Sequence, residues 1–367
     1  MQSLWDIANP QLQALAVYQP GKPIEETARE LGCDPAEIIK LASNENPLGP
    51  SPLAVAAMRE ALERAQLYPD GGGYYLREKL AEKLSVDRNN IILGNGSNEI
   101  IEFLGHAFLK PGDEVVTSQH AFVAYKIIAA LFGAQTVEAP DRNFAQDVDA
   151  LLGALTSRTK IVFVANPNNP TGTLLSSDQI DDLLARVPPH VVVCLDEAYY
   201  EFLSDPPDTL RHVREHRRVI VLRTFSKIAG LASLRVGYGI APAEMIEILH
   251  KTREPFNVNG IGQIGARAAL DDVAHYAETK HVTDEGRAYL QDEFARLGLT
   301  FLPAAANFVL VNVGDGPAVF RALLERHVIV RAMGGYQLPE WVRISVGTKE
   351  ENRRCIAELS DVLKTRP

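Results

Sequence analysis

VVVCLDEAYYEF, residues 191–202, runs through five apolar residues in succession before it reaches a carboxylate, Asp196. A half-buried strand alternates apolar and polar residues, whereas an unbroken apolar run suits a strand covered on both faces. Short runs of similar texture recur along the chain: IIL at 91–93, EVVTS, QTVEA, KIVFVAN, RVIVLRTF and RVGYGIA. Helical stretches or glycine-rich turns separate them, and strands interleaved with helices indicate a mainly parallel sheet of the α/β class. Asp196 then falls at the carboxyl end of its strand, on the sheet edge where α/β proteins bind ligands. Buried there, a carboxylate needs a partner. Exposed, it would only cap the segment that follows.

The composition is that of an ordinary globular protein, with 46% hydrophobic and 23% charged residues, and 367 residues suffice for two domains. Acidic residues outnumber basic ones by 47 to 37, a formal net charge of −10. That balance argues against the basic face on which nucleic acid binds. No apolar run approaches the ~20 residues of a membrane helix, so no membrane partner is expected. The opening MQSLWDIANPQLQAL has no basic region followed by an apolar core, and no secretory signal is expected. Cys33, Cys194 and Cys355 form neither a metal-type spacing nor a disulfide framework. A reducing cytoplasm and a metal-free site are the expectation.

Residues 1–50 read as irregular, carry several prolines and end in LASNENPLGPSP. Ser51 and Pro52 suit the N-cap and first position of a helix through LAVAAMREALERAQ. The glycines of YPDGGGYY end it, and Leu76, Leu80 and Leu84 at i, i+4 spacing predict a second helix in LREKLAEKL. The interleaved texture lasts to about residue 250. Beyond it, one long helical region carries ARAALDDVAHYAETKHVTDEGRAYLQDEFARLG. Strand-like ANFVLVNV, the helix PAVFRALLERH, short strands at VIVRAM and WVRISVGT, and a final helix follow. Residues 51–250 are therefore expected to form a large α/β domain, and 251–367 a smaller α+β domain.

Four motifs carry the chemistry. IILGNGSNEIIEFLGHAF passes from strand to helix at Gly94 and Gly96, with Ser97 and Asn98 opening the helix. Free N–H groups at a helix start bind phosphate. The dinucleotide fingerprint is absent, because Glu99 stands where its third glycine would be, and a plain strand–turn–helix connection explains the motif equally well. VANPNNPTGTLLS fixes a turn at the same sheet edge, with Asn168 and Asn169 as amide donors or as ordinary turn residues. Tyr199, three residues beyond Asp196, can bring a phenol beside the carboxylate. In TFSKIAGLASLRVGYG, the hydroxyls of Thr224 and Ser226 bracket Lys227, and Arg235 follows eight residues later. A snorkelling lysine and a paired arginine would be the bland alternative, but it leaves the otherwise uncharged setting unexplained. A lysine activated by its surroundings forms a Schiff base with a carbonyl. Pyridoxal phosphate needs such a lysine, together with a carboxylate that keeps its ring nitrogen protonated.

With these residues in view, the sequence resembles the fold-type I pyridoxal-phosphate aminotransferases nearly end to end. YQPGKPIEE, LASNENPLGPSP, YPDGGGYYLREKLA, NPNNPTGT, DEAYYEF, TFSKIAGLASLRVGYG and LPEWVRISVGT carry the resemblance. The early LASNENPLGPSP and YPDG segments are similar to the branch that acts on histidinol phosphate. The resemblance implies Lys227 as the Schiff-base lysine and proton carrier. It pairs Asp196 with the pyridine nitrogen, and Tyr199 and Asn169 with the cofactor's phenolic oxygen. Ser97, Asn98, Thr224, Ser226 and Arg235 would hold the phosphate, and Phe122 would stack on the ring. Tyr68 would reach the phosphate from a neighbouring subunit, which implies a homodimer. Arg343 would grip the substrate α-carboxylate and Arg331 the substrate phosphate. Tyr18 lies in the 1–50 segment that would cover the pocket and join the small domain.

The expected partners are a small amino donor and a keto acid, handled in turn by a ping-pong reaction. Histidinol phosphate with 2-oxoglutarate is the leading pair. An aromatic amino acid aminotransferase is the alternative, and a pyridoxal-phosphate decarboxylase or lyase a more distant one. Ile228-Ala229, Ser233 and Gln337 depart from residues frequent in the family, and the first two departures bear on packing near the cofactor.

Overall fold

The computed structural model describes residues 3–13, 15 and 21–365. In chain order the strands are β1 (Ile39–Lys40), β2 (Ile91–Gly94), β3 (Glu114–Ser118), β4 (Gln135–Ala139), β5 (Thr159–Ala165) and β6 (Val192–Asp196). They continue as β7 (Val219–Thr224), β8 (Gly237–Ile240), β9 (Phe308–Asn312), β10 (Val328–Ile329), β11 (Arg331–Ala332) and β12 (Trp341–Ser345). Seven of them form one sheet in the order β2-β8-β7-β6-β5-β3-β4. β8 runs antiparallel to both of its neighbours, and the other pairs are parallel. The apolar run that ends on Asp196 is therefore the central strand, and every residue of it is buried.

Residues of that strand feed two cores. Val193 and Leu195 join one apolar cluster, while Val192 and Cys194 join the cluster on the opposite face. β5 divides in the same way, with Val162 and Val164 on one side and Ile161 and Phe163 on the other. Two covered faces explain why neither strand alternates in sequence. β4, at the sheet edge, is largely part-exposed.

A second, three-stranded antiparallel sheet, β11-β12-β9, has its own core around Phe294, Val309, Val342 and Ile356. β1 pairs in parallel with β10, so the N-terminal segment is stitched to this smaller unit. Residues 1–50 are less irregular than the prolines suggest, because Ile24–Leu31 is an α-helix that buries Thr27 and Ala28 and ends on left-handed Gly32. The predicted helical region after residue 250 is broken into Gly260–Ala269 and Val273–Arg296. Asp272 makes the break. Its carboxylate accepts from His275 N, capping the second helix, and from Ser51 Oγ at 2.6 Å, where Ser51 is itself the N-cap of Pro52–Ala61. None of the helices among the described residues is long and apolar enough to cross a membrane.

Candidate active site

The carboxyl ends of β5, β6 and β7 open onto a cavity of about 220 Å³. Asp196 is the last residue of β6, Thr224 the last of β7, and Lys227 stands in the loop just after it. That loop is held close to the N-terminal segment. Asn46 Nδ2 donates to Ile228 O at 2.8 Å, Ser51 N donates to Ala229 O at 3.2 Å, and Lys227 Nζ donates to Ser43 O at 3.2 Å. Gly230 makes the approach possible, since a Cβ there would sit 2.1 Å from Gly49 O.

The start of the helix Ser97–Phe108, which no side chain caps, also lines the cavity. Its first N–H groups are left to face an anion. A Cβ on Gly96 would fall 2.4 Å from Arg235 Nη2, and one on Gly237 would fall 2.3 Å from Ser97 N. Bare glycines at both positions let the guanidinium, the helix start and β8 crowd together. Arg235 Nη1 also reaches Ser226 Oγ at 3.5 Å. The result is a cradle of N–H, hydroxyl and guanidinium donors suited to a phosphate.

Burial pushes the Asp196 carboxyl above its usual range, and hydrogen bonds from Tyr125 Oη and the Ala198 N–H oppose that shift. An ionised carboxylate so placed is best satisfied by a cationic N–H partner. The Lys227 amine is lowered to about 8, mainly by burial and then by the nearby Arg343 and Arg235 guanidiniums. An amine in that range is neutral often enough to act as a nucleophile or proton carrier. Burial also pushes the Tyr199 phenol up to about 12, with Arg343 opposing. Arg343 donates through Nη1 to Asn169 Oδ1 and through Nη2 to Ala42 O at 2.8 Å, with its guanidinium 5.1 Å from the centre of the Phe308 ring.

Of the residues singled out in sequence, Ser97, Asn98, Phe122, Asn169, Asp196, Tyr199, Thr224, Ser226, Lys227, Arg235, Arg331 and Arg343 all line this cavity. Tyr68 does not. It is 83% exposed and stacks on Phe256, ring centroids 4.9 Å apart, in a separate groove. Tyr18 lies outside the described residues. Asn168 turns away from the cavity, its amide donating to His120 O and Thr171 Oγ1 to hold the turn.

Among the lining residues that escaped sequence reasoning, Tyr125 and Asn44 pair with predicted ones. Tyr125 Oη, rather than Tyr199, is the phenol on Asp196, and Tyr199 instead receives a hydrogen bond from Asn44 Nδ2 at 2.9 Å. Both stand in noted segments, Tyr125 one helical turn past Phe122 in SQHAFVAY and Asn44 in LASNENPLGPSP. Among the departures, Ile228 is buried in a cluster with Tyr199, Phe202 and Phe308, and Ala229 is fully buried, while Ser233 and Gln337 are exposed.

The profile of a family described as Aminotransferase class I and II matches residues 36–359. A histidinol-phosphate aminotransferase of Akkermansia muciniphila is 51% identical over 362 residues, 98% of this chain and 100% of that one. Another, from Moorella thermoacetica, is 48% identical over 350 residues, 94% and 90% of the two chains. Among solved structures, histidinol-phosphate aminotransferase from Sinorhizobium meliloti in complex with pyridoxal-5'-phosphate matches with a TM-score of 0.90 at 28% identity, over 98% of each chain. Aspartate aminotransferase from Thermus thermophilus with maleate matches with a TM-score of 0.83 at 25% identity, over 99% and 100% of the chains.

Proposed function

Because the chain belongs to the class I and II aminotransferases and has their fold-type I architecture, we propose that it is a pyridoxal-phosphate enzyme of histidine biosynthesis. It moves an amino group reversibly between glutamate and imidazole-acetol phosphate, giving 2-oxoglutarate and L-histidinol phosphate. The observation that carries this reading is the convergence of Lys227, Asp196, Tyr199, Arg235 and Arg343 on one cavity, in a chain so close to two histidinol-phosphate aminotransferases.

The donor set fits the cofactor. Ser97, Asn98, Thr224, Ser226 and Arg235 would hold its phosphate, Asp196 its ring nitrogen, Tyr199 and Asn169 its phenolic oxygen, Phe122 its ring face, and Lys227 its aldehyde carbon. When bound, the cofactor supplies an electron sink that lets the Cα proton of an amino compound leave. Lys227 Nζ would take that proton and return it, a task suited to an amine lowered to about 8. Tyr125 and the Ala198 N–H keep Asp196 oriented and oppose its protonation.

Histidinol phosphate carries a phosphate and no α-carboxylate, whereas glutamate and 2-oxoglutarate carry an α-carboxylate and no phosphate. Arg331, with Tyr18, would serve the first, and Arg343 the second. One site therefore serves both substrates in turn, which gives ping-pong kinetics. In this reading residues 51–250 bind the cofactor, 251–367 form the small domain, and 1–50 cover the site. The enzyme works as a homodimer in the cytoplasm. The exposed Tyr68–Phe256 pair, beside exposed Leu62 and Leu67, supports an interface across which Tyr68 completes the partner's site.

The test follows glutamate formed from 2-oxoglutarate with L-histidinol phosphate, L-phenylalanine and L-tyrosine as competing donors. A higher kcat/KM for histidinol phosphate is expected. Higher efficiency with an aromatic amino acid, or CO₂ release independent of 2-oxoglutarate, overturns the reading.

A further inference from the structure

Outside the lining of this cavity, Cys33, Glu37 and His327 bring a thiol, a carboxylate and an imidazole together, with ligating atoms all within 4.8 Å of one another. His327 Nδ1 is already 3.3 Å from Glu37 Oε2. We infer that these three side chains bind a zinc-class divalent cation, which clips the N-terminal segment to the small domain. Nothing in the spacing of the cysteines along the chain reveals the site, because residues 33 and 327 meet only in the fold.

Each donor stands on a fixed backbone. Cys33 follows the left-handed Gly32 that closes Ile24–Leu31, and its N–H donates to Ala28 O at 3.1 Å. Glu37 ends the turn Pro35–Glu37, which Asp34 caps, and its carbonyl accepts from Arg354 Nη1 at 2.7 Å. His327 has a φ of 63°, and its carbonyl accepts from Ile39 N at 3.0 Å, directly beside the β1–β10 pair. A positive φ is uncommon for a residue with a side chain. Held there, the ring reaches the N-terminal segment.

The donor chemistry selects the ion. Thiolate and imidazole suit Zn²⁺ and Co²⁺, while Mg²⁺ and Ca²⁺ take oxygen ligands. Zinc bonds of about 2.0–2.3 Å bring tetrahedral ligand atoms to roughly 3.3–3.7 Å apart. The Glu37–His327 pair is already that close, so the tightening needed, at most about an ångström, falls on the distances to Cys33. A thiolate and a carboxylate would offset the ion's charge, and a fourth position would remain for water. The consequence reaches the active site, because Gly21, Ala42, Ser43 and Asn44 of the clipped segment line the catalytic cavity. Without a metal, Cys33 would be only a small apolar residue packed near Ile38 and Ile329, beside a histidine–glutamate pair.

The test uses cofactor-loaded enzyme stripped of divalent metal with a chelator. ZnCl₂ is titrated by calorimetry, and CoCl₂ by difference absorbance. One site per chain is expected, with a thiolate-to-cobalt band and a thermal midpoint raised by Zn²⁺ but not by Mg²⁺. Cys33→Ala should abolish the band, and Cys33→Ala, Glu37→Gln and His327→Gln should each weaken Zn²⁺ binding at least about tenfold. Glu37→Gln and His327→Gln alter partly exposed side chains and keep the test decisive should Cys33→Ala fail to fold. Absence of saturable Zn²⁺ uptake, or uptake unchanged in these variants, overturns the site.

Discussion

Tyr125 Oη donates a 2.7 Å hydrogen bond to Asp196 Oδ2 and so joins the helix Val123–Leu131 to the end of the central strand. Both groups are buried, and the bond opposes the rise that burial imposes on the carboxyl. Tyr125→Phe removes the donor without opening a large cavity. Asp196 should then protonate more readily and hold the cofactor's ring nitrogen less firmly. We expect roughly tenfold faster cofactor loss, measured by dialysis and absorbance, with a larger effect from Asp196→Asn.

Lys227→Met should abolish turnover by several orders of magnitude while leaving the fold intact. In the cofactor-free protein it should also raise stability at neutral pH. The folded-state pKa of about 8 lies below the usual lysine value of 10.5, so the folded chain binds this proton more weakly than the unfolded chain. The resulting cost is fully present below pH ~8 and fades as the pH rises towards 10.5. Denaturation midpoints of parent and variant, compared from pH 7 to 10.5, check the sign.

Arg343→Ala and Arg331→Ala should separate the two substrates. Loss of a charge-assisted pair costs about 10- to 100-fold in affinity. For Arg343→Ala the expected rise is in KM for glutamate and 2-oxoglutarate, and for Arg331→Ala in KM for histidinol phosphate. Equal effects of both variants on both substrates would contradict the assignment.

Asp272→Ala should cost about 1–2 kcal/mol, because one carboxylate supports the starts of two helices. The hydrogen bond from Ser51 holds the Asp272 carboxyl below its usual value. Its contribution is therefore present above the ordinary carboxylate range and is lost as the pH falls through the lowered folded value. Urea midpoints of the parent and Asp272→Asn should converge in acid.

Mixing Lys227→Ala chains with Tyr68→Ala chains, each nearly inactive alone, should restore activity if Tyr68 serves the partner's site. A hybrid dimer then contains one site free of both changes. Failure to recover activity after subunit exchange would falsify the shared site.

Much of this site was legible one residue at a time. A carboxylate closing an apolar run, a lysine in an uncharged loop and glycines at a strand–helix turn each state a local physical demand. What escaped was pairing. Tyr125 and Asn44 sit in segments already noticed, but which phenol meets Asp196 depends on how a helix docks on the sheet. Nothing local to either residue encodes that. The helix Ile24–Leu31 was hidden for a simpler reason. The prolines before it suggested irregular chain, while its buried face needs Phe320, Leu324 and Ile329, distant in sequence, to cover it.

By itself the sequence determined the interleaved α/β order, because a strand covered on both faces must be apolar throughout and a turn must carry residues that allow it. It also determined which groups gather at the sheet edge, since Asp196, Thr224 and Lys227 follow directly from where their strands end. Only the tertiary structure decided their partners and their charge state. Tyr125 on Asp196, Ser43 against Lys227, and Asp272 bridging two helices are contacts between residues 71 to 221 positions apart. The low-dielectric setting that lowers one amine and raises one carboxyl exists only once those distant segments exclude water together.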